Sequence, residues 1–167
     1  IESNLPPHDP SAVKIGLAWA SNPQHPVFSQ KSVALERWEP VLQIPDCEFF
    51  SLQVDPDPSA AAFIQGQGNF HAFPTRFADF ANTAAAISRL DLVISVDTAI
   101  AHLAGGLGQL VWVLLSFSAD WRWLLKRRDS PWYPTMRLFR QPRPGDWNSV
   151  MLDLAGNLAE FASRLKR

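Results

Sequence analysis

Along this chain, apolar runs of strand length alternate with segments whose apolar positions recur at helical spacing. The runs Lys14–Ala20, Glu48–Val54, Asn69–Phe73, Leu92–Asp97, Leu110–Ser116 and Met136–Gln141 read as strands. Several are apolar almost without interruption, which marks strands covered on both faces. Helical segments fill the gaps: Ala34–Gln43, Pro58–Gln65, Asp79–Leu90, Thr98–Leu107, Trp121–Arg127 and Trp147–Lys166. Asp79, Asp97 and Asp146 each precede a helical pattern, where a carboxylate accepts a bond from an otherwise orphan backbone amide. The alternation predicts an α/β fold, a doubly wound Rossmann-like parallel sheet of about six strands in the usual order 3-2-1-4-5-6. Such sheets bind ligands outside the carboxyl ends of their strands.

At 167 residues and 47% apolar content the chain suffices for one packed domain, read here as residues 14–167. Residues 1–13 open IESNLPPHDPS, a polar, proline-rich stretch that reads as an extended linker. The chain starts at Ile1, without methionine or a signal-peptide pattern, so a longer protein is expected around it. The segment Leu92–Phe117 is long and apolar enough to raise the question of a membrane span. Asp97 near the bilayer centre would cost about 3 kcal/mol, and Gly105, Gly106 and Gly108 interrupt the run, so a span is rejected.

A formal net charge of −1 with no block of like charges offers nothing to nucleic acid. The single cysteine, Cys47, excludes an internal disulfide and points to a reducing, cytoplasmic setting. His8, His25, His71 and His102 have no metal-ligand spacing, so no metal site and no resident cofactor are expected. The glycine clusters at Gly66–Gly68 and Gly105–Gly108 do not open helices after strands, and neither a phosphate-binding P-loop nor a G-x-S-x-G elbow occurs.

The candidate chemistry lies in ISVDTAIAHLAGG, Ile94–Gly106, where Asp97, Thr98 and His102 interrupt an apolar segment. An unpaired polar group in such surroundings costs roughly 2–7 kcal/mol, so all three need partners in the fold or in a ligand. Two readings stand. In one, Asp97 only caps a helix and His102 is a hydrogen-bonded core residue. In the other, the free amides at the helix start form a phosphate seat, left open by the small side chain of Ala99, with Asp97 on the rim. The first βα turn, Ser21-Asn22-Pro23 and the polar loop ending at Lys31-Ser32, would lie beside Asp97 at the switch point, where a lysine can neutralise a diphosphate. Lys31 as a solvated loop residue is the alternative. The aromatic stretch Asp120-Trp121-Arg122-Trp123 and Ser130-Pro131-Trp132-Tyr133 either packs a long loop or stacks on a base or sugar.

The run LDLVISVDTAIAHLAGGLG followed by VWVLL resembles the donor-site signature of family 9 glycosyltransferases, the heptosyltransferase-like group. The string DWRWLLKRRDSPWYPTMRLFRQPRPGDW is similar to the version found behind tetratricopeptide repeats in large bacterial proteins. With KIGLAWASNP and Lys31-Ser32, the similarity covers about Lys14 to Phe161. It implies the C-terminal, nucleotide-sugar-binding lobe of a GT-B glycosyltransferase. Within that resemblance Asp97-Thr98-Ala99 contacts sugar and diphosphate, Lys31 neutralises the phosphates, His102 matches the signature histidine, and Ser21 and Asn22 complete the donor-binding set. Gln109-Leu110, Ser116 and the HPVFSQ loop depart from the usual pattern. The implied reaction is metal-independent, inverting hexosyl or heptosyl transfer to an acceptor glycan or protein, with the catalytic base in an N-terminal lobe that this chain lacks. The chain alone is therefore expected to be inactive. The alternatives are a module that binds a nucleotide sugar or a protein without turnover, and half of a sugar-nucleotide epimerase.

Overall fold

Six parallel strands form at the apolar runs: β1 Val13–Ala18, β2 Cys47–Ser51, β3 Phe70–His71, β4 Leu92–Val96, β5 Val111–Leu115 and β6 Met136–Arg140. Their order is β3-β2-β1-β4-β5-β6, the usual doubly wound order, as expected. The structure is a computed structural model that describes residues 5–24, 26–54, 56–73, 77 and 79–166; residues 1–4 of the expected linker and His25 lie outside these. All of β4 and β5 is buried. Successive side chains leave opposite faces of a strand, so Val111, Val113 and Leu115 enter one core cluster while Trp112 and Leu114 enter the other.

The helices are α1 Phe28–Lys31, α2 Glu39–Leu42, α3 Pro58–Gly66, α4 Phe80–Ile87, α5 Ala99–Gly106 and α6 Trp147–Leu165. On one face of the sheet α2, α3 and α6 bury Val41, Ile64, Leu154 and Leu158; on the other, α4 and α5 bury Ile87, Ile100 and Ala104. Leu154 and Leu158 are fully buried, each contributing about 2 kcal/mol of transfer free energy. Of the Gly105–Gly108 cluster, Gly105 and Gly106 lie in the last turn of α5 and Gly108 ends it. Gly108 takes a φ of +72°, its amide donates to the Gly105 carbonyl, and the Gln109 amide donates to that of Ala104, which closes the helix in a Schellman turn.

Two expected helices are broken. The run Ala34–Gln43 divides into a 3₁₀ turn, Leu35–Trp38, and the single turn of α2, because Pro40 has no amide to donate and is accommodated only in a first turn. The run Trp121–Arg127 is helical only as a 3₁₀ turn, Trp121–Trp123. Leu124 leaves it at a φ of +52°, and Arg140 donates to the Trp123 and Leu124 carbonyls that a continuing helix would have used. The loop before Ser32 gains one helical turn, α1. Within residues 1–13, Leu5 packs on the core, His8 stands edge-on to Phe50, and the Asp9 amide donates to Glu48, so this part lies along β2.

Candidate functional site

The chain runs outward from β1 through β2 to β3 and returns to β4 on the other side of β1. The connections leaving β1 and β4 therefore diverge, and a crevice opens at their carboxyl ends. A cleft of about 810 Å³ occupies it, lined by six of the seven expected donor-binding residues: Ser21, Asn22, Lys31, Asp97, Thr98 and Ala99. Phe77, Phe80 and Thr83, from the β3–α4 connection and α4, form a wall that sequence reasoning did not anticipate.

The long β1 loop is pinned at its base. The Val33 amide donates to the Trp19 carbonyl, the Ser21 amide to the Ser32 hydroxyl at 3.1 Å, and the Ala20 amide to Gln53 Oε1 at 3.0 Å. Asn22 Oδ1 accepts from the Gln24 amide and tightens the turn that follows. These closures bring Lys31, the last residue of α1, against the β4–α5 turn, where Nζ lies 2.6 Å from Asp97 Oδ2. The side chains of Lys31 and Asp97 are only 17% and 8% exposed.

Asp97 is not the cap of α5. That position belongs to Thr98, whose side chain makes no capping bond; its Oγ1 lies 3.1 Å from the hydroxyl of the buried Ser95, which itself donates to the Val96 carbonyl. Asp57, Asp79 and Asp146, by contrast, each accept a backbone amide at the starts of α3, α4 and α6. The start of α5 thus meets the cleft without a side-chain acceptor, and Ala99 and Ile100 line the cleft there. Ser21 lines the same cleft, and its hydroxyl is buried and without a hydrogen-bond partner among the described residues.

His102 does not line the cleft. One turn into α5, its Nε2 is 3.9 Å from Asp97 Oδ1, too long for a hydrogen bond. Its Nδ1 is 3.1 Å from the Tyr133 hydroxyl and its ring stacks on the buried Trp123, centroids 5.2 Å apart at 22°. Gly105 lets this shelf form, because a Cβ there would meet the Tyr133 ring at 2.8 Å. Of the aromatic stretch, Trp123 and Tyr133 pack against His102, as the packing reading expects, while Trp121 and Trp132 are exposed and are not among the residues lining the cleft. Sequence reasoning missed the Tyr133–His102 contact, and nothing local to either residue signals a pairing across 31 positions.

Both described carboxylates of the cleft are already engaged. Asp97 is paired with Lys31, and Asp79 accepts from the amide and the side chain of Asn82, which hold its carboxyl below the usual range. Cys47 lies outside the cleft, and burial pushes its thiol up to about 11, leaving it protonated and unreactive near neutrality. Among the described residues, no group of three or more His, Cys, Asp or Glu side chains is gathered as a metal ion would require. No helix among them is long and apolar enough to cross a membrane.

Fold and site together define a doubly wound α/β domain with a switch-point cleft lined by the Lys31–Asp97 ion pair, the uncapped start of α5 and Ser21. No protein-family model matches the chain. A curated relative, Protein FlbA of Caulobacter vibrioides (strain ATCC 19089 / CIP 103742 / CB 15), is 30% identical over 154 residues, covering 90% of this chain and 26% of that protein. The chain spans about a quarter of the length of that relative.

Proposed function

We propose that this domain is the nucleotide-sugar-binding lobe of a GT-B glycosyltransferase similar to the heptosyltransferase-like family 9 enzymes. The observation that carries the reading is the convergence of Lys31, the uncapped start of α5 and Ser21 on one cleft of about 810 Å³. The cation and the helix amides suit a diphosphate, and the rim carboxylate of Asp97 suits sugar hydroxyls. In transfer, those donors would stabilise the departing diphosphate without a metal ion. With Asp79 and Asp97 both engaged, the base that deprotonates the acceptor is assigned to another lobe, and the chain alone turns nothing over. The same engagement favours a second reading, a module that binds a nucleotide sugar without turnover.

A thermal-shift screen of UDP, ADP, GDP and their sugars tests the shared claim, since a ligand that binds only the folded state raises its melting temperature. At least one nucleoside diphosphate sugar is expected to raise it, equally in EDTA and in magnesium. No shift with any of them at millimolar concentration would contradict the reading.

A further inference from the structure

The cleft does not hold its cation ready for an anion. Lys31 Nζ is already 2.6 Å from Asp97 Oδ2, and the carboxylate, 8% exposed, has little water to turn to if the lysine leaves. His102 offers no replacement at 3.9 Å, with its ring held between Trp123 and Tyr133. A bare diphosphate entering here meets a pair that is neutral overall. It must either approach Asp97 with like charge or draw Lys31 away and leave a nearly buried carboxylate unpaired, and both are unfavourable. A diphosphate that carries hydroxyl groups avoids the penalty, because the hydroxyls donate to Asp97 as Lys31 moves to the phosphate. The amides at the start of α5 then supply further donors to the anion.

We propose that the Lys31–Asp97 ion pair is an exchange latch that makes the cleft select diphosphates bearing a sugar over bare diphosphates. This rests on the nucleotide-sugar reading above and adds the device by which the site rejects the sugar-free anion. Lys31 and Asp97 act as one unit: the carboxylate positions the lysine in the empty site and is the price of admission for ligands that lack hydroxyls.

The test is calorimetric titration of the whole chain and of Asp97→Asn with inorganic pyrophosphate and with UDP-glucose, ADP-glucose and GDP-mannose. In the parent, the best nucleotide sugar binds and pyrophosphate is weaker by roughly tenfold or more. In Asp97→Asn the lysine is released, so pyrophosphate binding tightens several-fold while the nucleotide sugar weakens, and the preference collapses. Pyrophosphate binding that is unchanged or weaker in Asp97→Asn, with the parent still binding a nucleotide sugar, overturns the latch and leaves the functional reading standing. A parent that binds none of the three sugars overturns the reading and the latch with it. Should Asp97→Asn fold poorly, the Lys31 side-chain NMR resonance of the parent decides. The latch requires it to shift with the nucleotide sugar at concentrations where pyrophosphate leaves it unmoved, and equal shifts with both overturn it.

Discussion

The start of α5 and the starts of α3, α4 and α6 solve the same problem differently. Each opens with amides that lack intrahelical partners, and each has an aspartate at hand. At α3, α4 and α6 that aspartate turns inward on its own helix, and Asp57, Asp79 and Asp146 accept from the amides of Ala60, Asn82 and Ser149. At α5 the aspartate stands one residue earlier, turns across the crevice to Lys31, and leaves the cap position to a threonine that bonds to Ser95 instead. The closed starts satisfy their own amides, whereas the open one leaves its donors at a cleft, and the aspartate beside it is held by an ion pair across the crevice.

The contrast can be broken most forcefully at Lys31. Lys31→Met removes one partner of a nearly buried pair and should lower stability by about 2 kcal/mol, less than for a fully buried pair because the site borders an open cleft. The double variant Lys31→Met with Asp97→Asn should recover most of that loss, a coupling that chemical denaturation of the four proteins measures. If the single variants add, the pair is an incidental surface contact.

Cap deletion should separate the two kinds of start more finely. Asp146→Ala removes an acceptor used by the α6 amides and should cost about 1 kcal/mol, while Thr98→Ala deletes no capping bond and only the contact with Ser95, whose hydroxyl keeps the Val96 carbonyl, and should cost less. Equal losses in denaturant melts would mean that α5 is capped after all. A smaller effect is the acid limb of stability. Hydrogen bonds from amides and from Ser59, Asn82 and Ser149 hold the carboxyls of Asp57, Asp79 and Asp146 below their ordinary value of 3.8. A depressed folded value gives stability that is present above the unfolded value and is lost as pH falls through the folded one. Stability should therefore decline below about pH 4, and replacing these three by asparagine should flatten that limb. An unchanged limb would show that their protonation is not linked to folding.

How far the sequence disclosed these features follows from the range of the forces involved. The strands were legible because burial on both faces makes β4 and β5 apolar at nearly every position, and βα connections imply parallel pairing, while the strand order expected was simply the usual one for a doubly wound sheet. The cap roles of Asp79 and Asp146 were legible because their bonds span three residues. The same local rule misassigned Asp97, whose partner is 66 residues away and is delivered by the loop closures at Ser32 and Gln53. Trp121–Arg127 looked helical by spacing, yet Arg140, from β6, takes the carbonyls that would have continued it. His102 was rightly singled out as needing a partner, but the partner, Tyr133, comes from a loop that carries no periodic signal.

The central claim, that the open start of α5 is where an anionic ligand sits, is tested most directly by amide NMR of the labelled chain titrated with the nucleotide sugar that most raises its melting temperature. The amides of Ala99 and Ile100 should move the furthest, and those of Ala60 and Ser149, already held by Asp57 and Asp146, should stay in place. Saturable binding that leaves Ala99 and Ile100 unmoved would contradict the account.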